Sequence, residues 1–396
     1  MKLVLITDTF PPLRTSGAVQ LRDLARELVR QGHELTVLLP DADIEQPWVL
    51  ENFEGAQVMR LRSPRTKDIG YLKRTIGECL MPHAMWLNLH RSPLASERWE
   101  AIVWYSPSIF HGPLVRRLKQ ESGCRGYLII RDIFPEWAVD LGLLRPRLAY
   151  RFFKWVARQQ YAEADIIGVQ TSGNLGYFKQ WHEARKDRSL EVLQNWLDKP
   201  ASARCPIRIE KTPLAGRKIF VHAGNMGVAQ GMDILLNLAD RMRARQDIGF
   251  LFVGRGIDGK RLTESAALRG LENVMFHDEI EPDEIPDLYA QCYAGIVALD
   301  HRHRSHNIPG KFLSYMQNGL PVFANVNAGN DIANLIKSEG VGEVCETNNL
   351  DELEKRCVAL IGRLDADPYL PERCIRLFER QFSVSQAVRQ VVASLY

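Results

Sequence analysis

The chain has 396 residues, 45% of them hydrophobic and 25% charged, with 51 basic and 48 acidic side chains. Such proportions are typical of globular proteins and exclude collagen-like, coiled-coil and disordered chains. The net charge of +3 does not favour a general nucleic-acid-binding protein, and the length predicts two domains.

Apolar runs of strand length alternate with amphipathic stretches in the first half of the chain. A strand is predicted at 3–7, followed by a helix whose apolar residues, from Ala18 to Leu28, recur at helical spacing. Because the strand-like runs lack polar alternation, they indicate strands covered on both faces, as in a parallel sheet. Further strands are predicted at 34–39, 101–105, 127–131, 166–170 and 190–194.

The segment 199–217 interrupts this alternation with Pro200, Pro206 and Pro213, and we interpret it as an interdomain linker. Helices and strands then alternate again, with one helix predicted at 312–317. This repetition predicts the α/β class, with two doubly wound domains. The strands of the second half are predicted at 218–223, 248–253, 273–276, 295–299, 321–324 and 342–345.

Other features argue against a membrane span, a leader and a metal site. No apolar run approaches the about 20 residues of a spanning helix, and the strand-like start predicts no signal peptide. The seven cysteines are scattered without a Cys-x-x-Cys pair, which indicates reduced thiols in the cytoplasm. The ten histidines lack the spacing of metal ligands, so no metal is expected.

Candidate ligand-binding residues follow the predicted strands, because parallel sheets bind ligands beyond the carboxyl ends of their strands. Gly17 opens the first helix, where it either lets an anion approach the N–H groups or only forms a tight turn. His111 is either a proton acceptor or a structural histidine. Arg131 and Asp132 are either ligand-binding groups or a structural ion pair.

The second half offers two glycine-rich turns and a basic loop. The turn at 224–231 and the turn at 254–256 either cradle phosphates with their N–H groups or are plain glycine turns. The stretch 301–311 precedes the helix at 312–317 and contains three histidines, two arginines and Lys311. It is either an anion site or a solvated basic loop.

Several motifs occur together along the chain: the helix-to-strand segment 27–38, Gln194-Asn195-Trp196, the turn 223–227 and the segment 319–322. Together they resemble the GT-B glycosyltransferases of the retaining family four, over nearly the whole chain. The segment 131–142 more narrowly resembles bacterial O-antigen transferases of the WbuB type, which transfer L-fucosamine.

The resemblance implies a GT-B fold, in which two Rossmann-like doubly wound domains face each other across a cleft. Residues 1–200 would form the acceptor-side domain and residues 201–375 the nucleotide-sugar donor domain. The last helix, within 376–396, would cross back to the first domain. The predicted donor-binding residues are Gly17, Arg131, Gly224, Asn225, Gly227, Gln230, Gly254, Arg255, Ile280, Pro309, Gly310, Lys311 and Ser314.

The sequence departs from the family at its charged positions. The family's two glutamates, eight positions apart, are replaced here by His306 and Ser314. The family's Arg and Lys that neutralise the donor diphosphate are replaced by Asn225 and Gln230. Lys311 is therefore the best candidate for offsetting phosphate charge, because it lies at a predicted helix N-terminus.

The resemblance also implies the mechanism, in which the anomeric configuration is retained and the leaving phosphate takes the proton of the acceptor hydroxyl. Asp132, His111 and His306 are the predicted catalytic groups around the anomeric centre. Protein cations can supply the positive charge that a metal would supply. We therefore expect a UDP-sugar substrate with no metal and no other cofactor.

A basic segment suggests contact with the inner membrane. Residues 60–74, which we call the basic strip, contain six basic side chains against Asp68 alone, a net charge of +5. The apolar stretch 76–89 follows it, so the pair is either a lipid-binding surface or a solvated loop and a core helix. The predicted membrane residues are Arg62, Arg65, Lys67, Lys73, Arg74 and Trp86.

These observations predict a glycosyltransferase that moves a sugar, such as N-acetyl-L-fucosamine, from a UDP-sugar to a polyprenyl-diphosphate-linked saccharide in O-antigen, capsule or other polysaccharide synthesis. It would bind the inner face of the plasma membrane peripherally from the cytoplasm. Two alternatives keep the fold: a UDP-sugar 2-epimerase, and a non-catalytic nucleotide-binding partner, which the replaced glutamates suggest.

Overall fold

The computed structural model describes residues 1–13, 15–140, 144–145, 147–199, 202–227, 230–300 and 308–396. The chain divides into two compact units. Unit 1 comprises Met1–Trp196 and Val384–Tyr396, and unit 2 comprises Leu197–Ser383.

Unit 1 contains an eight-stranded sheet in its described residues, in the order β3-β4-β2-β1-β5-β6-β7-β8. Every neighbouring pair is parallel except β3 and β4, which form an antiparallel hairpin at one edge. The strands are β1 (Lys2–Ile6), β2 (Glu34–Asp41), β3 (Trp48–Phe53), β4 (Ala56–Arg62), β5 (Ala101–Tyr105), β6 (Arg125–Ile130), β7 (Ile166–Val169) and β8 (Ser189–Val192).

Helices cover both faces of this sheet. The first helix begins after Thr15, whose side-chain oxygen accepts a hydrogen bond from the Ala18 N–H at 3.3 Å and caps the helix. The helices of the first 196 residues are α1 (Ser16–Arg30), α2 (Tyr71–Leu89), α3 (Gly112–Ser122), α4 (Glu136–Asp140), α5 (Leu148–Ala162) and α6 (Lys179–Glu183).

The helices α2, α3 and α5 lie over one face of the sheet. Met85 of α2, Leu118 of α3 and Ala157 of α5 belong to one buried cluster, which also contains Ile102 and Leu128 of the sheet. The alternate strand residues, such as Val103 and Ile129, point to the opposite face and pack against α1. This two-sided burial explains why the strand sequences are apolar without alternation.

Unit 2 contains a parallel sheet whose described strands follow the order β11-β10-β9-β12-β13-β14. The strands are β9 (Lys218–Ala223), β10 (Ile248–Val253), β11 (Val274–His277), β12 (Ala294–Ala298), β13 (Val322–Asn325) and β14 (Gly342–Cys345). The helices are α7 (Asp233–Arg241), α8 (Gly259–Leu268), α9 (Ile285–Tyr289), α10 (Gly310–Gln317), α11 (Asp331–Glu339), α12 (Leu350–Ala366) and α13 (Leu370–Gln381).

The final helix, α14 (Val384–Leu395), returns to unit 1, whereas α13 stays in unit 2. Val388 and Val391 of α14 are buried in the cluster that contains α1. The side chain of Gln390 donates a 3.0 Å hydrogen bond to Glu191 of β8. The end of the chain therefore completes the core of the unit that the start of the chain forms.

The α/β class and the two parallel sheets are confirmed. The predicted strands are present with ends shifted by one or two residues at several positions, while the β3–β4 hairpin was not predicted. All seven cysteines are free thiols. Among the described residues, no helix is both long and apolar enough to cross a bilayer.

Candidate functional site

Two loops at the carboxyl edge of the unit 2 sheet pack against each other through glycines. The Gly224 N–H donates to the Val253 carbonyl at 2.9 Å, and the Met226 N–H donates to the Arg255 carbonyl at 2.8 Å. A Cβ atom on Gly254, whose φ is +139°, would lie 2.1 Å from the Gly224 oxygen. Only glycine allows this approach, so the two turns form one backbone surface.

Uncharged side chains fix the first of these turns. The Gln230 Oε1 atom accepts hydrogen bonds from the Gly227 N–H at 3.1 Å and from the Asn225 amide at 3.2 Å. Asn225, Gly227 and Gln230 are thus brought together, as the sequence predicted for one turn. In this arrangement the side chains of Asn225 and Gln230 hydrogen bond to each other and add no positive charge to the turn.

Lys311 supplies positive charge beside this turn. It is the second residue of α10, which begins at Gly310 after the cap residue Pro309. The Lys311 Nζ atom lies 3.0 Å from Nε2 of His222 and 3.8 Å from where a Cβ of Gly224 would stand. The structure therefore places this ammonium, a helix N-terminus and the Gly224 turn together.

Burial controls the charge of this pair. His222 is fully buried at the end of β9, where burial and the nearby Lys311 charge lower its pKa to about 3. Burial lowers the pKa of Lys311 to about 8. Near pH 7 the imidazole is neutral and the ammonium is charged, so this is a cationic site without a carboxylate partner among the described contacts of Lys311.

Tyr315 holds α10 at this distance from the sheet. It lies one turn after Lys311, and its hydroxyl is 3.1 Å from the carbonyl oxygens of both Val221 and Ile296. Its ring lies so close to Gly295 that a Cβ there would be 2.5 Å away. His222 and Tyr315 were missed in the sequence, although a histidine within the apolar run 218–223 was a detectable signal.

The remaining predicted donor residues of unit 2 have different surroundings. Arg255 is exposed and forms an ion pair with Glu279 at 3.0 Å, which compensates its charge. Ile280 packs against the unit 2 core, and Ser314 hydrogen bonds to Tyr289. His306 lies outside the described residues, as does the rest of the predicted basic loop from 301 to 307.

In unit 1, Gly17 lies at a close approach between α1 and the strand ends. A Cβ atom on Gly17 would lie 3.3 Å from the Thr9 methyl carbon and 3.4 Å from the Tyr105 hydroxyl. The Tyr105 hydroxyl donates to Gln20 at 3.2 Å, and burial raises the pKa of Tyr105 to about 12. A larger residue here would have to displace these two side chains by a few tenths of an ångström, and the donor contact of Gly17 stays a prediction.

His111 is fully buried immediately before α3. Its backbone N–H donates to Gln160 at 3.0 Å, while neither ring nitrogen has a partner among the described residues. Burial lowers the pKa of the imidazole, and the nearby Asp8 carboxylate opposes this effect. A buried imidazole without a partner is costly, but a side chain with no exposed surface is not accessible to a ligand in this structure, so the catalytic role of His111 stays a prediction.

Asp132 and Arg131 follow β6 and differ in their contacts. Asp132 is exposed to solvent on one side. The protein groups on its other side partly desolvate the carboxylate and raise its pKa, and the nearby Arg131 charge opposes this effect. The Arg131 guanidinium donates to the Leu193 carbonyl at 2.7 Å and to the Gln194 carbonyl at 3.3 Å. It also lies 4.5 Å from the centre of the Trp196 ring. Arg131 thus has a structural role, and its donor contact stays a prediction.

The basic strip is less positive in the structure than in the sequence. Arg65 forms an ion pair with Asp43, and Arg74 with Glu78 at 2.9 Å. Arg62 and Lys67 donate to the backbone carbonyls of Glu45 and Asp8 at 2.9 and 3.1 Å. The net charge counted over 60–74 was misleading, because acidic residues outside that segment fold beside it. Lys73 is exposed.

Trp86 is engaged in packing. Its indole N–H donates to Glu121 at 3.0 Å, and the Arg117 guanidinium lies 4.4 Å from its ring centre. The predicted lipid contact of Trp86 stays a prediction that its present surroundings do not favour.

Sequence profiles of known families match both units. Residues 16–196 match a profile described as a glycosyl transferase 4-like domain, and residues 217–363 match one described as glycosyl transferases group 1. Together the two matches cover more than four fifths of the chain. The chain is a group 1, GT4-like glycosyltransferase.

Two curated relatives support this family. The chain is 24% identical over 380 residues to WcaI of Escherichia coli, assigned to colanic acid biosynthesis, covering 88% of this chain and 86% of WcaI. It is 25% identical over 243 residues to the glycosyltransferase WbjE of Pseudomonas aeruginosa, covering 59% of this chain and 58% of WbjE.

Solved structures confirm the GT-B fold. Sucrose-phosphate synthase from Thermosynechococcus elongatus superimposes with a TM-score of 0.66 at 15% identity, covering 99% of this chain and 97% of that protein. Anabaena HepE in complex with UDP gives a TM-score of 0.65 at 16% identity, covering 100% and 99%. WaaG, a glycosyltransferase of lipopolysaccharide biosynthesis, gives 0.61 at 12% identity, covering 99% of each chain.

Proposed function

We propose that this protein transfers a sugar from a UDP-sugar to a lipid-linked saccharide during synthesis of a bacterial cell-surface polysaccharide. The observation that carries the proposal is the half-buried Lys311 ammonium beside the Gly224 turn. The names of WcaI and WaaG support a polysaccharide or lipopolysaccharide pathway, and the HepE complex supports UDP as the nucleotide. The transferred sugar is proposed to be an N-acetylated amino sugar such as N-acetyl-L-fucosamine.

The chemistry follows from charge. Breaking the anomeric bond leaves negative charge on the nucleotide diphosphate and develops positive charge on the sugar ring. The Lys311 ammonium, the N-terminal N–H groups of α10 and the turn 224–227 offer fixed positive dipoles and charge to the diphosphate. Because these groups supply the charge, the proposed reaction needs no metal and no other cofactor.

The acceptor side of the reaction is proposed to use unit 1. His111 offers two unpartnered ring nitrogens, and Asp132 offers an accessible carboxylate at the end of β6. Asp132 can orient the acceptor hydroxyl directly, while the leaving phosphate takes its proton and the anomeric configuration is retained. His111 is fully buried and would reach the acceptor only after its surroundings open. His306 is the third proposed catalytic group.

A donor screen tests the proposal. Nucleotide sugars are compared by thermal shift, and those that stabilise the protein are then incubated with a polyprenyl-diphosphate-linked monosaccharide. Transfer from a UDP-sugar is the expected result. Epimerisation of the UDP-sugar without an acceptor would instead indicate the UDP-sugar 2-epimerase. UDP binding with no turnover of any donor would indicate the non-catalytic nucleotide-binding partner.

Lys311→Ala tests the site itself. Loss of a charge-assisted contact should weaken UDP binding by about 1.5–3 kcal/mol in calorimetry. The control is Lys260→Ala on α8, whose ammonium is exposed and forms only a 3.9 Å pair with Glu264. Unchanged UDP affinity in Lys311→Ala, with a normal melting temperature, would remove Lys311 from the donor site.

A further inference from the structure

The helix α5 of unit 1 exposes an apolar ridge. Leu148, Phe152 and Trp155 are 82%, 38% and 59% exposed, and they lie on one side of the helix at spacings of four and three residues. Isolated exposed apolar residues are ordinary, but a continuous ridge with two aromatic rings indicates a contact surface. The group of these three residues is called the α5 ridge.

Basic side chains flank the α5 ridge. Arg147, Arg151 and Arg158 are exposed, and α5 contains no acidic residue. In the part of the chain that the structure describes, Arg151 and Arg158 have no ion-pair partner, unlike Arg65 and Arg74 of the basic strip. Two unpaired arginines thus lie beside exposed aromatic rings on α5, whose Lys154 pairs with Glu136 at 3.3 Å.

A second apolar ridge lies on the same helical layer. Leu72 and Ile76 of α2 are 76% and 52% exposed, and Leu80, one turn further, is 52% exposed. Since α2, α3 and α5 pack over the same face of the sheet, both ridges belong to the outer surface of one layer. The helix α3 packs against both α2 and α5, and its exposed residues include Arg116 and Gln120, so the two apolar ridges are separate.

We propose that this layer is a docking surface for an anionic phospholipid bilayer, with the α5 ridge at its centre. Phe152 and Trp155 would enter the interface between headgroups and acyl chains, and Arg151 and Arg158 would contact lipid phosphates. The inference deepens the proposed function and rests on it in one respect: a lipid-linked acceptor requires the enzyme at a membrane.

Charge favours a lipid surface over a second copy of the chain. In a two-fold symmetric dimer that contacts through α5, each subunit contributes the same helix to the interface. Arg151 and Arg158 of one subunit would then lie near the same arginines of the other. Because α5 has no acidic side chain, such a contact offers these arginines no neutralising partner within the helix. Anionic headgroups neutralise the arginines and accommodate the aromatic rings at once.

Vesicle flotation tests the proposal with phosphatidylcholine vesicles and with phosphatidylcholine–phosphatidylglycerol vesicles. The wild type should float with the anionic vesicles and dissociate from them as salt is raised. Phe152→Ser with Trp155→Ser should lower the partition coefficient about tenfold or more. Arg151→Gln with Arg158→Gln should lower binding to anionic vesicles only. The matched control is Leu268→Ser with Lys260→Gln, which removes an exposed apolar and an exposed basic residue from α8.

A variant with glutamine at Arg62, Arg65, Lys67, Lys73 and Arg74 compares the basic strip with α5. It should lose less binding than the Arg151 and Arg158 variant, because several of its side chains are already paired. Three outcomes would each overturn the proposal. They are a larger loss of vesicle binding in the strip variant than in the Arg151 and Arg158 variant, wild-type binding by both α5 variants, and an equal loss of binding in the α8 control. So would a dimer that the Phe152 and Trp155 variant abolishes in a protein that does not bind vesicles.

Each variant is first checked for a normal melting temperature and normal UDP binding. Flotation requires neither donor nor acceptor, so its outcome is separate from that of the donor screen. Vesicle binding through α5 without any sugar transfer would contradict the proposed function alone. Sugar transfer without α5-dependent binding would contradict the docking surface alone.

Discussion

At the scale of single residues, the candidate donor site depends on a lysine and the groups around it. Lys311 could be predicted because a basic residue at a helix N-terminus is visible in the sequence. Its contact with His222 could not, since the two residues are 89 positions apart and meet only when α10 packs beside β9. The same limit applies to Arg131, whose contacts with 193–196 give it a structural role that the sequence did not show.

The lowered pKa of Lys311 predicts a pH dependence of UDP binding. The pKa is about 8 in the free protein, and bound phosphate raises it by favouring the charged form. Affinity should therefore fall as pH rises above about 8, by at most about tenfold per pH unit until the pKa of the complex is reached. His222 does not contribute to this change, because its pKa of about 3 keeps it neutral.

Calorimetry of UDP binding at several pH values above about 7.5 measures this effect. Lys311→Arg is the matched control, since its guanidinium stays charged and should give a flat profile. An equally steep fall in the arginine variant would show that another group titrates.

Asp132 is predicted to act in turnover and not in nucleotide binding. Asp132→Asn keeps the shape of the side chain and removes its charge, so turnover should fall about 100-fold or more if the carboxylate handles the acceptor hydroxyl. UDP affinity should stay normal. The melting temperature should change little, because the Ser106 hydroxyl donates to the Asp132 backbone carbonyl and not to its side chain, at 3.3 Å. Wild-type turnover of the donor that the screen identifies would make Asp132 structural.

At the scale of elements, long apolar strands were predictable and the edge hairpin was not. Each central strand carries its own signal, because burial on both faces requires an apolar run. The hairpin of β3 and β4 is half-exposed, and its signal is a turn at Glu54 and Gly55, both with positive φ. Without that hairpin, Arg60 and Arg62 were counted as free charges of the basic strip, whereas Arg60 pairs with Glu51 at 3.1 Å.

The glycine contact between the two unit 2 loops gives a prediction at this scale. In Gly254→Ala, the added Cβ would meet the Gly224 carbonyl at a φ that favours glycine, and so should cost about 2–5 kcal/mol of unfolding free energy. UDP binding should weaken with it, because the turn at 224 is displaced. Thermal melting and calorimetry measure the two effects.

Gly362→Ala is the matched control for this substitution. Gly362 is exposed within α12 and no atom lies within 4 Å of its added Cβ. Alanine favours the helix there and should stabilise the protein by about 0.5–1 kcal/mol. Equal melting temperatures for Gly254→Ala and the wild type would contradict the close contact.

At the scale of the whole molecule, the order of strands and helices predicted the α/β class, because each βα repeat is encoded locally. The composition of unit 1 is set by the packing of α14 against α1, and unit 2 is the segment 197–383 that precedes α14. Leu197 pairs with Ser383 in an isolated bridge, and the Leu197 N–H donates to the Phe382 carbonyl at 3.0 Å. Unit 2 therefore begins and ends at adjacent positions.

This arrangement predicts that the two units can be separated by excision. A chain that joins Trp196 to Val384 through about six glycine and serine residues keeps α14 and should fold as unit 1. Residues 1–196 alone should not fold, because they lack Val388, Val391 and Leu395, and burial of each such side chain contributes about 1.5–3 kcal/mol. That sum is comparable with the whole stability of a domain, about 5–15 kcal/mol.

The excised segment 197–383 contains His222, Gly224, Gly254 and Lys311, and should melt cooperatively and bind UDP. Circular dichroism and calorimetry of the three chains decide the matter: a cooperative transition in 1–196 alone, at the temperature of the joined chain, would show that α14 is dispensable to unit 1.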